Sequence, residues 1–425
     1  MIFRFSLYGF LKSQQYYVPF ILLALLQVGL NYFLVGLLIA WREFIIILCQ
    51  IPSGIIADAH GRKRALVISF SSYILSFCIF GSVSLFFIPS FENEFGLYPV
   101  VLSFLAMFFL GIGEAFHSGS HKAMIFAWMR LEGRGSEKVK IYGFTRSWSK
   151  LGSATSIVLA SILVFFADAY FIVFFCSAIP LLLNLINIAT YPNAIDEINH
   201  TKRFSFHFHN SLSFIKNQPK FRWLIYESQG FSGFFRAYKD YLQPVLNTAA
   251  LPISITIFSN ISMSDVQKSL ILIGPVYFLL FLLSAVASRN AYKVFSLFSS
   301  DKVASQFIWK ISFILFVTFF IAIFFRFTTL IITCFIFAYA LQNLWRPLLL
   351  SRFDSQSAEN GDKGATLFSI ERQMVSITTM IIAPILGYLI DYFQTFQTGE
   401  GQFFPIAAIG IGITLVFILK SSKKV

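Results

Sequence analysis

Long apolar runs dominate the chain, and the polar residues are confined to short stretches between them. An α-helix needs about 20 predominantly apolar residues to cross the hydrocarbon core of a bilayer, which is about 30 Å thick. Runs of that length predict twelve spans, six on each side of one longer polar stretch. The predicted spans are 5–27, 33–57, 65–88, 98–121, 140–166, 169–190, 221–247, 267–288, 305–326, 328–350, 365–391 and 403–420. The pattern therefore predicts an all-α membrane protein.

The longer polar stretch, 191–220, predicts a linker between two six-helix bundles, 1–190 and 221–425. Pro192 breaks the preceding helix, because proline lacks a backbone N–H. Apolar residues then recur at helical spacing and predict a short amphipathic helix on the inner leaflet. These residues are Phe204, Phe208, Leu212 and Ile215. A solvated connector is the alternative interpretation.

Basic residues predict the orientation of the spans, because cytoplasmic loops of membrane proteins are enriched in Lys and Arg. One set of loops and the last tail carry Arg62, Lys63, Arg64, Lys122, Arg130, Arg134, Lys138, Lys140, Lys202, Arg203, Lys216, Lys220, Arg222, Lys420, Lys423 and Lys424. The opposite loops are mainly acidic, with Glu92, Glu94, Asp168, Asp391 and Glu400. The apolar start, with Arg4 and Lys12, has no cleavage site and is interpreted as the first span. We expect both termini to be cytoplasmic and the protein to lie in a bacterial inner membrane.

The composition agrees with this interpretation and excludes several functions. Hydrophobic residues form 57% of the chain and charged residues 12%, about half the charged share of a soluble domain. The net charge of +13 lies in the loops, so it reflects topology and no nucleic-acid partner is expected. The four cysteines lie in apolar runs without metal-binding spacing, and no nucleotide-binding or catalytic motif is present. We therefore expect no metal, no cofactor and no enzyme activity.

An internal repeat indicates two equivalent halves. Residues 140–168 align without a gap on residues 363–391. The matches include Lys140 with Lys363, Ser153 with Ser376, Thr155 with Thr378, Ala160 with Ala383, Ile162 with Ile385, Leu163 with Leu386 and Asp168 with Asp391. The matched segments are the fifth and eleventh predicted spans, as a six-plus-six duplication requires.

The loop between the second and third spans carries the most specific motif, "PSGIIADAHGRKRAL", residues 52–66. Gly54 and Asp58 are four residues apart, so they share a helix face, and a glycine there allows a neighbouring helix to approach closely. Gly61 permits a tight reversal. Arg62 and the two basic residues after it suit lipid phosphates at the cytoplasmic surface, so membrane lipids are expected partners.

This motif resembles the Gly-x-x-x-Asp-x-x-Gly-Arg-Lys/Arg signature of the major facilitator superfamily. The resemblance implies two pseudo-symmetric six-helix bundles, transport by alternating access, and a monomer. It also implies that Gly54, Asp58, Gly61 and Arg62 form a latch of the gate. The corresponding loop of the second half has lost the pattern. The fifth span lacks the Gly-Pro signature of drug/proton antiporters, which disfavours multidrug export.

Ionisable and strongly polar residues inside spans are expensive to bury in lipid and usually face a cavity. The sequence predicts that such residues bind the substrate, namely Arg42, Glu43, Arg146, Lys150, Gln229, Arg236, Lys239, Asp240, Asn343 and Arg346. Adjacent residues do not face each other on a helix, so Arg42 and Glu43 are each expected to have a partner elsewhere. Ion pairs between helices, with a purely structural role, are the alternative.

The fourth span carries Glu114, His117, Ser118 and His121 along one helix face. A buried carboxylate beside histidines titrates closer to neutral pH, so Glu114 and His117 are predicted to couple transport to protons. A helix end with solvated His and Lys side chains is the alternative, and it fits His121 and Lys122 better than Glu114.

Basic residues outnumber acidic ones in this predicted cavity, and Arg binds carboxylates and phosphates well. The sequence therefore predicts a secondary transporter of a small organic anion. Two alternatives stay open. One is an exporter of drug-like amphipathic compounds, and the other is a sensor on the transporter fold with 191–220 as its output.

Overall fold

A computed structural model describes residues 1–87, 96–117, 120–134, 137–196, 219–257, 263–359, 364–397 and 399–422. These residues form helices and short turns, with no β-strand among them. The predicted amphipathic helix of the linker lies outside the described residues.

The described helices of the first half begin with two short segments, and the rest are longer. They are α1 (Ile2–Lys12), α2 (Ile21–Gln27), α3 (Tyr32–His60), α4 (Arg62–Phe86), α5 (Tyr98–His117), α6 (Ser120–Leu131), α7 (Lys138–Ala167) and α8 (Phe171–Ala189).

The second half begins with a segmented helix. Its α-helices are α9 (Pro219–Ser228), α10 (Phe234–Tyr238), α11 (Leu242–Ile257), α12 (Asp265–Phe295), α13 (Asp301–Phe324), α14 (Thr328–Glu359), α15 (Gly364–Gln394) and α16 (Phe404–Ser422). A π-helical segment, Gln229–Gly233, joins α9 to α10, and a 3₁₀ turn, Lys239–Tyr241, joins α10 to α11.

Within the described residues, ten helices are long and apolar enough to cross a membrane. They match the predicted spans two to six and eight to twelve. The other two predicted spans, 5–27 and 221–247, are not single α-helices. The first is interrupted by turn residues, whereas the second stays helical from Pro219 to Ile257 but changes from α to π and 3₁₀ geometry on the way. In the first, the chain leaves the helix between Lys12 and Ile21, where Pro19 lacks an N–H and disfavours helix at the residue before it.

The chain forms two compact units. The first unit consists of Met1–Leu30, Trp41–Ser205 and Phe258–Phe278. The second unit consists of Asn31–Ala40, Phe206–Ile257 and Leu279–Val425. The units thus differ from the predicted halves by two segments, 31–40 and 258–278, each of which packs with the other half of the sequence.

In the first unit, α1 lies directly against α7 because both helices carry a glycine at the contact. A Cβ on Gly9 would lie 2.5 Å from the Ser149 Oγ, and a Cβ on Gly152 would lie 2.4 Å from the Phe10 carbonyl oxygen. A side chain at position 152 would collide with backbone, and one at position 9 would require Ser149 to move, so the two backbones approach closely. The contact lies within one turn of Lys12, where α1 ends.

The two aspartates that the repeat pairs hold equivalent places. Asp391 in the second unit accepts hydrogen bonds from the backbone N–H groups of Tyr32 at 3.0 Å and Phe33 at 2.7 Å, so it caps the start of α3. Asp168 in the first unit accepts a hydrogen bond from the Ser264 hydroxyl, just before α12 begins. Each carboxylate therefore binds the start of a helix from the other half of the sequence, where the helix dipole favours negative charge.

Candidate functional site

The two spans that are not uniform α-helices are the first span of each half, one interrupted by a turn and the other containing π and 3₁₀ segments. Interrupted helices at equivalent positions commonly mark the binding site of secondary transporters, because the interruption frees backbone and side-chain groups near the midplane. A π-helical segment is likewise frequent at functional sites. A binding site is therefore expected near Lys12 in the first unit or near Gln229–Gly233 in the second.

The break in the first span opens onto a cavity of about 360 Å³ in the first unit, which we call the basic cavity. Its walls come from α1 and the break, from α5 and α6, and from α7. The lining residues are Phe5, Tyr8, Gly9, Lys12, Ser13, Gln15, His117, His121, Lys122, Ile125, Thr145, Arg146, Ser149 and Ser153. Only Phe5, Gly9 and Ile125 among them lack a polar side-chain group.

Three cations, Lys12, Lys122 and Arg146, reach the basic cavity from different walls, and none of the described residues that line it is acidic. Lys12 Nζ lies 5.2 Å from the ring centroid of Tyr73, a distance at which the ring attracts a cation. Glu114 lies outside the lining, but its charge acts on Lys12. The cavity therefore carries an excess of positive charge.

The aromatic wall of the basic cavity is formed by stacked rings. Tyr8 and His121 stack with centroids 3.4 Å apart and planes 6° apart, and His117 lies parallel to Tyr8 at 6.2 Å. The Tyr8 side chain is 3% exposed, and its hydroxyl makes no hydrogen bond with the described residues.

Tyr191 contacts the outer side of this wall. Its hydroxyl lies 3.2 Å from His121 Nε2, and burial raises its pKa, so it stays protonated at neutral pH. The hydroxyl also donates to the Arg4 carbonyl oxygen at 3.3 Å. His121 is thus positioned from outside the cavity.

The predicted site residues of the first unit divide between those at the cavity and those beside it. Arg146 and His117 line it, whereas Lys150, one turn further along α7, does not. Glu114 is exposed on α5, although the sequence predicts a buried carboxylate. Lys12 and Tyr8 were not predicted as site residues from the sequence. In the sequence, Lys12 was considered only as a basic residue at the apolar start of the chain. Its place in the cavity wall is visible only from the structure.

The pairing of Arg42 with Glu43 corrects one expectation from the sequence. Arg42 Nη2 lies 2.7 Å from Glu43 Oε1, and Glu43 is 2% exposed. Lys239 Nζ and Asp240 Oδ1 are likewise paired at 2.5 Å. The prediction that adjacent residues cannot pair is therefore wrong, because long flexible side chains reach around the helix to a neighbour.

In the second unit, the predicted cations surround a buried carboxylate. Glu371 is 1% exposed and accepts two hydrogen bonds from Arg346, at 2.6 Å and 3.1 Å, and a third from the Ser228 hydroxyl. The charge of Arg236 also acts on Glu371. These arginines therefore have a structural counter-ion within their own unit.

The predicted amide ligands of the second unit also have internal partners. Gln229 Nε2 donates to the Met374 carbonyl oxygen at 3.3 Å, and Asn343 Nδ2 donates to the Tyr339 carbonyl oxygen at 2.9 Å. Gln342 Nε2 donates to Ser232 Oγ at 3.1 Å. The polar row along the segmented helix therefore makes its hydrogen bonds within its own unit.

A second buried ion pair of this unit was not predicted from the sequence. Arg352 Nη1 lies 2.6 Å from Glu227 Oε2, with the two side chains 14% and 3% exposed. The other carboxylate oxygen accepts hydrogen bonds from Ser305 at 3.0 Å and from Trp223 at 3.1 Å. The position of Glu227 inside an apolar run could have indicated a buried carboxylate. Arg352 follows the predicted end of span ten, so nothing in the sequence indicated that it is buried.

The signature loop is held by an acidic residue that the motif does not contain. Asp196 Oδ1 accepts hydrogen bonds from the backbone N–H groups of Arg62 at 2.6 Å and Lys63 at 3.2 Å. Gly61 has φ +94°, and a Cβ there would lie 2.5 Å from Asp196 Oδ2. Glycine is therefore needed at position 61 both for its backbone angle and for the room it leaves.

The structure says less about the other two motif residues, Gly54 and Asp58. A Cβ on Gly54 would have no described heavy atom within 4 Å. The close helix approach predicted at Gly54 is therefore not present among the described residues. The side chain of Asp58 lies outside what the structure describes.

Comparisons with known proteins agree on one fold. The sequence profile of the Major Facilitator Superfamily matches residues 5–361. A mutant form of the nucleoside transporter NupG has a similar structure, with a TM-score of 0.74, 13% identity and 99% of each chain covered. A bacterial homologue of the human lysosomal transporter Spinster, in an inward-facing and occupied conformation, gives a TM-score of 0.65 at 12% identity, covering 99% of this chain and 94% of that one.

A bacterial homologue of the iron transporter ferroportin, in an inward-facing state, gives a TM-score of 0.63 at 12% identity, covering 99% of this chain and 96% of that one. No curated protein matches the sequence significantly. At these identities the solved structures support the fold alone.

Proposed function

The chain belongs to the Major Facilitator Superfamily, and from that premise we propose that it carries a small organic anion, which binds in the basic cavity. Membership makes the protein a multi-pass membrane protein and a secondary transporter, and not an enzyme. The anionic character of the solute is the new element of the proposal.

The observation that carries the proposal is the excess of cations over carboxylates among the residues that line the basic cavity. Arg146 has no carboxylate of the described residues within salt-bridge distance, and Lys12 has only the longer-range influence of Glu114. Arg146 is exposed and Lys12 is partly buried, so a solute can reach both, and Coulomb attraction favours an anion that binds near them. The guanidinium of Arg146 suits a carboxylate or phosphate, to which it donates two parallel hydrogen bonds.

The position of Glu114 supports proton coupling. Glu114 and a bound anion both act on the charge of Lys12, so a bound anion weakens the favourable interaction of Glu114 with that lysine. A proton on Glu114 removes a negative charge that repels the bound anion, so protonation and anion binding are linked. His117, on the same helix and at the cavity wall, is placed to pass that proton.

The basic loops support the proposed location. Lys and Arg are concentrated on one set of loops, which by the positive-inside rule is cytoplasmic. We propose a bacterial inner-membrane protein with both termini in the cytoplasm, surrounded by membrane lipids and acting as a monomer. On this topology the signature loop, with Gly61 and Arg62, lies at the cytoplasmic surface as part of the gate.

A thermal-stability screen of the purified protein in detergent tests the anion proposal. Carboxylates and phosphate esters are compared with cations and with neutral solutes, since a ligand that binds only the folded state raises its stability. We expect anions alone to stabilise the wild type, and Arg146→Ala to lose the effect. The control is Arg289→Ala, which removes an exposed arginine of α12 outside the cavity. Stabilisation by cations or neutral compounds, unchanged in Arg146→Ala, would contradict the proposal.

Proteoliposomes test the coupling. Uptake of a stabilising anion is expected to rise when the lumen is made alkaline, and Glu114→Gln is expected to abolish that dependence. Glu132→Gln, in the exposed turn after α6, is the control and should keep it. A pH-gradient response that survives in Glu114→Gln would exclude Glu114 as the coupling residue.

An apolar groove of about 730 Å³ in the first unit favours the alternative of an amphipathic exporter. It is lined almost entirely by apolar side chains, among them Leu159, Ile162 and Leu183, each more than a third exposed. Dye efflux that is unchanged in Arg146→Ala would support this alternative over the anion carrier.

A further inference from the structure

We infer that the transported anion is polyhydroxylated, in the manner of a sugar acid, and not an apolar carboxylate. The inference rests on the proposed function, because it names the class of anion that the basic cavity takes. Its evidence is the part of the cavity lining that carries no charge.

The uncharged lining is almost entirely polar. Hydroxyl, amide and imidazole groups surround the three cations, and the apolar side chains that line the cavity are those of Phe5 and Ile125. Binding pockets for small ligands are usually lined predominantly by apolar side chains. An anion with a hydrocarbon body would leave these polar groups facing apolar surface, which is unfavourable.

Several of these polar groups are available to a solute. The side chains of Tyr8, Ser13, Gln15 and Ser149 make no hydrogen bond with the described residues. They come from the two walls that also carry Lys12 and Arg146. A solute whose charged group binds the cations therefore meets hydrogen-bonding partners along the rest of its length.

The buried hydroxyl of Tyr8 is the most specific of these groups. Buried polar groups in native proteins are nearly always hydrogen-bonded, so each exception requires an explanation. A hydroxyl of the solute would supply the acceptor. A site built to bind hydroxyl groups rejects analogues that lack them far more strongly than an apolar site rejects analogues that carry them.

The test compares two anions with the same number of carbon atoms and the same charge, gluconate and hexanoate. Dissociation constants are measured by isothermal titration calorimetry on the full-length protein in detergent. We expect gluconate to bind at least about tenfold more tightly, since several hydrogen bonds contribute. Tyr8→Phe should weaken gluconate several-fold and leave hexanoate unchanged. The matched control is Tyr241→Phe, which removes a buried, unpaired hydroxyl in the second unit and should change neither constant.

The outcomes separate this inference from the proposed function. If hexanoate binds as tightly as gluconate, the anion is not selected by its hydroxyls and the inference fails, while the anion carrier stands. If neither these anions nor the wider anion panel binds, the proposed function itself fails. Should Tyr8→Phe not fold, Ser13→Ala and Ser149→Ala provide the same comparison, and gluconate affinity unchanged in both would overturn the inference.

Discussion

The basic cavity of the first unit and the buried ion pairs of the second unit contain the same kinds of residue. They differ in that the arginines of the second unit are paired with buried carboxylates. In the second unit, Arg346 binds Glu371 and Arg352 binds Glu227, both within 2.6 Å. In the first unit, Arg146 and Lys12 face a cavity and bind no carboxylate of the described residues. A charged residue within a membrane span is therefore weak evidence for a binding site until its partners are known.

The difference has a physical basis. A buried ion pair with further hydrogen bonds satisfies its own charges and leaves little free energy for a ligand. A cation without a counter-ion gains that free energy only when an anion binds. We therefore expect substitutions in the second unit to change stability, and substitutions at the cavity to change affinity.

The largest expected effect is the loss of the Glu227–Arg352 pair. Arg352→Met leaves a buried carboxylate without its counter-ion, and we expect the free energy of unfolding to fall by about 3 kcal/mol. Chemical unfolding in detergent measures the change. The double variant Arg352→Met/Glu227→Gln removes both charges and should recover most of the loss. A single variant as stable as the wild type would show that the pair contributes nothing.

The Arg346–Glu371 pair is more exposed on its arginine side, so its loss is expected to have a smaller effect. Arg346→Ala should lower the free energy of unfolding by about 1–3 kcal/mol, because Glu371 stays buried and loses two hydrogen bonds. Anion affinity, measured by calorimetry, should change less than twofold. A large loss of affinity with unchanged stability would reverse the comparison between the units.

The first unit also contains a carboxylate with internal partners, Asp196, which accepts hydrogen bonds from the signature loop. Gly61→Ala forces a non-glycine residue to φ +94° and crowds Asp196, so we expect a loss of about 1–2 kcal/mol. Transport should fall, while anion affinity in detergent should not change, because the loop lies outside the cavity. Gly54→Ala is the matched control, since a Cβ there meets open space. Equal losses in both variants would contradict this assignment.

The smallest expected effect concerns Lys150, which the sequence predicted among the substrate-binding residues. Lys150 lies one turn beyond Arg146 on α7 but does not line the cavity. Lys150→Ala should therefore change anion affinity less than twofold, as calorimetry can show. A tenfold loss would extend the binding site along α7 and restore the prediction made from the sequence.

The sequence predicted the parts of this structure that depend on local pattern. Ten spans were predicted from the length of the apolar runs. The equivalence of Asp168 and Asp391 was predicted from the internal repeat. The family follows from the motif around Gly61, as the family profile confirms.

The features that the sequence did not reveal depend on contacts between distant elements. The break after Lys12 lies in a run that is apolar enough to be predicted as one helix. The cavity that it forms with α7 is visible only in the structure. The partners of Arg346 and Glu227 come from other helices, so their pairing could not be predicted from either helix alone. Asp196 lies well away in sequence from the loop that it holds.

The most direct test of this account is the dissociation constant of a stabilising anion, measured by calorimetry for the wild type, Arg146→Ala and Arg346→Ala. We expect Arg146→Ala to weaken binding by at least about tenfold, or about 1.4 kcal/mol, and Arg346→Ala to bind as the wild type does. Weakened binding in Arg346→Ala, with Arg146→Ala unchanged, would place the anion site in the second unit and contradict the account.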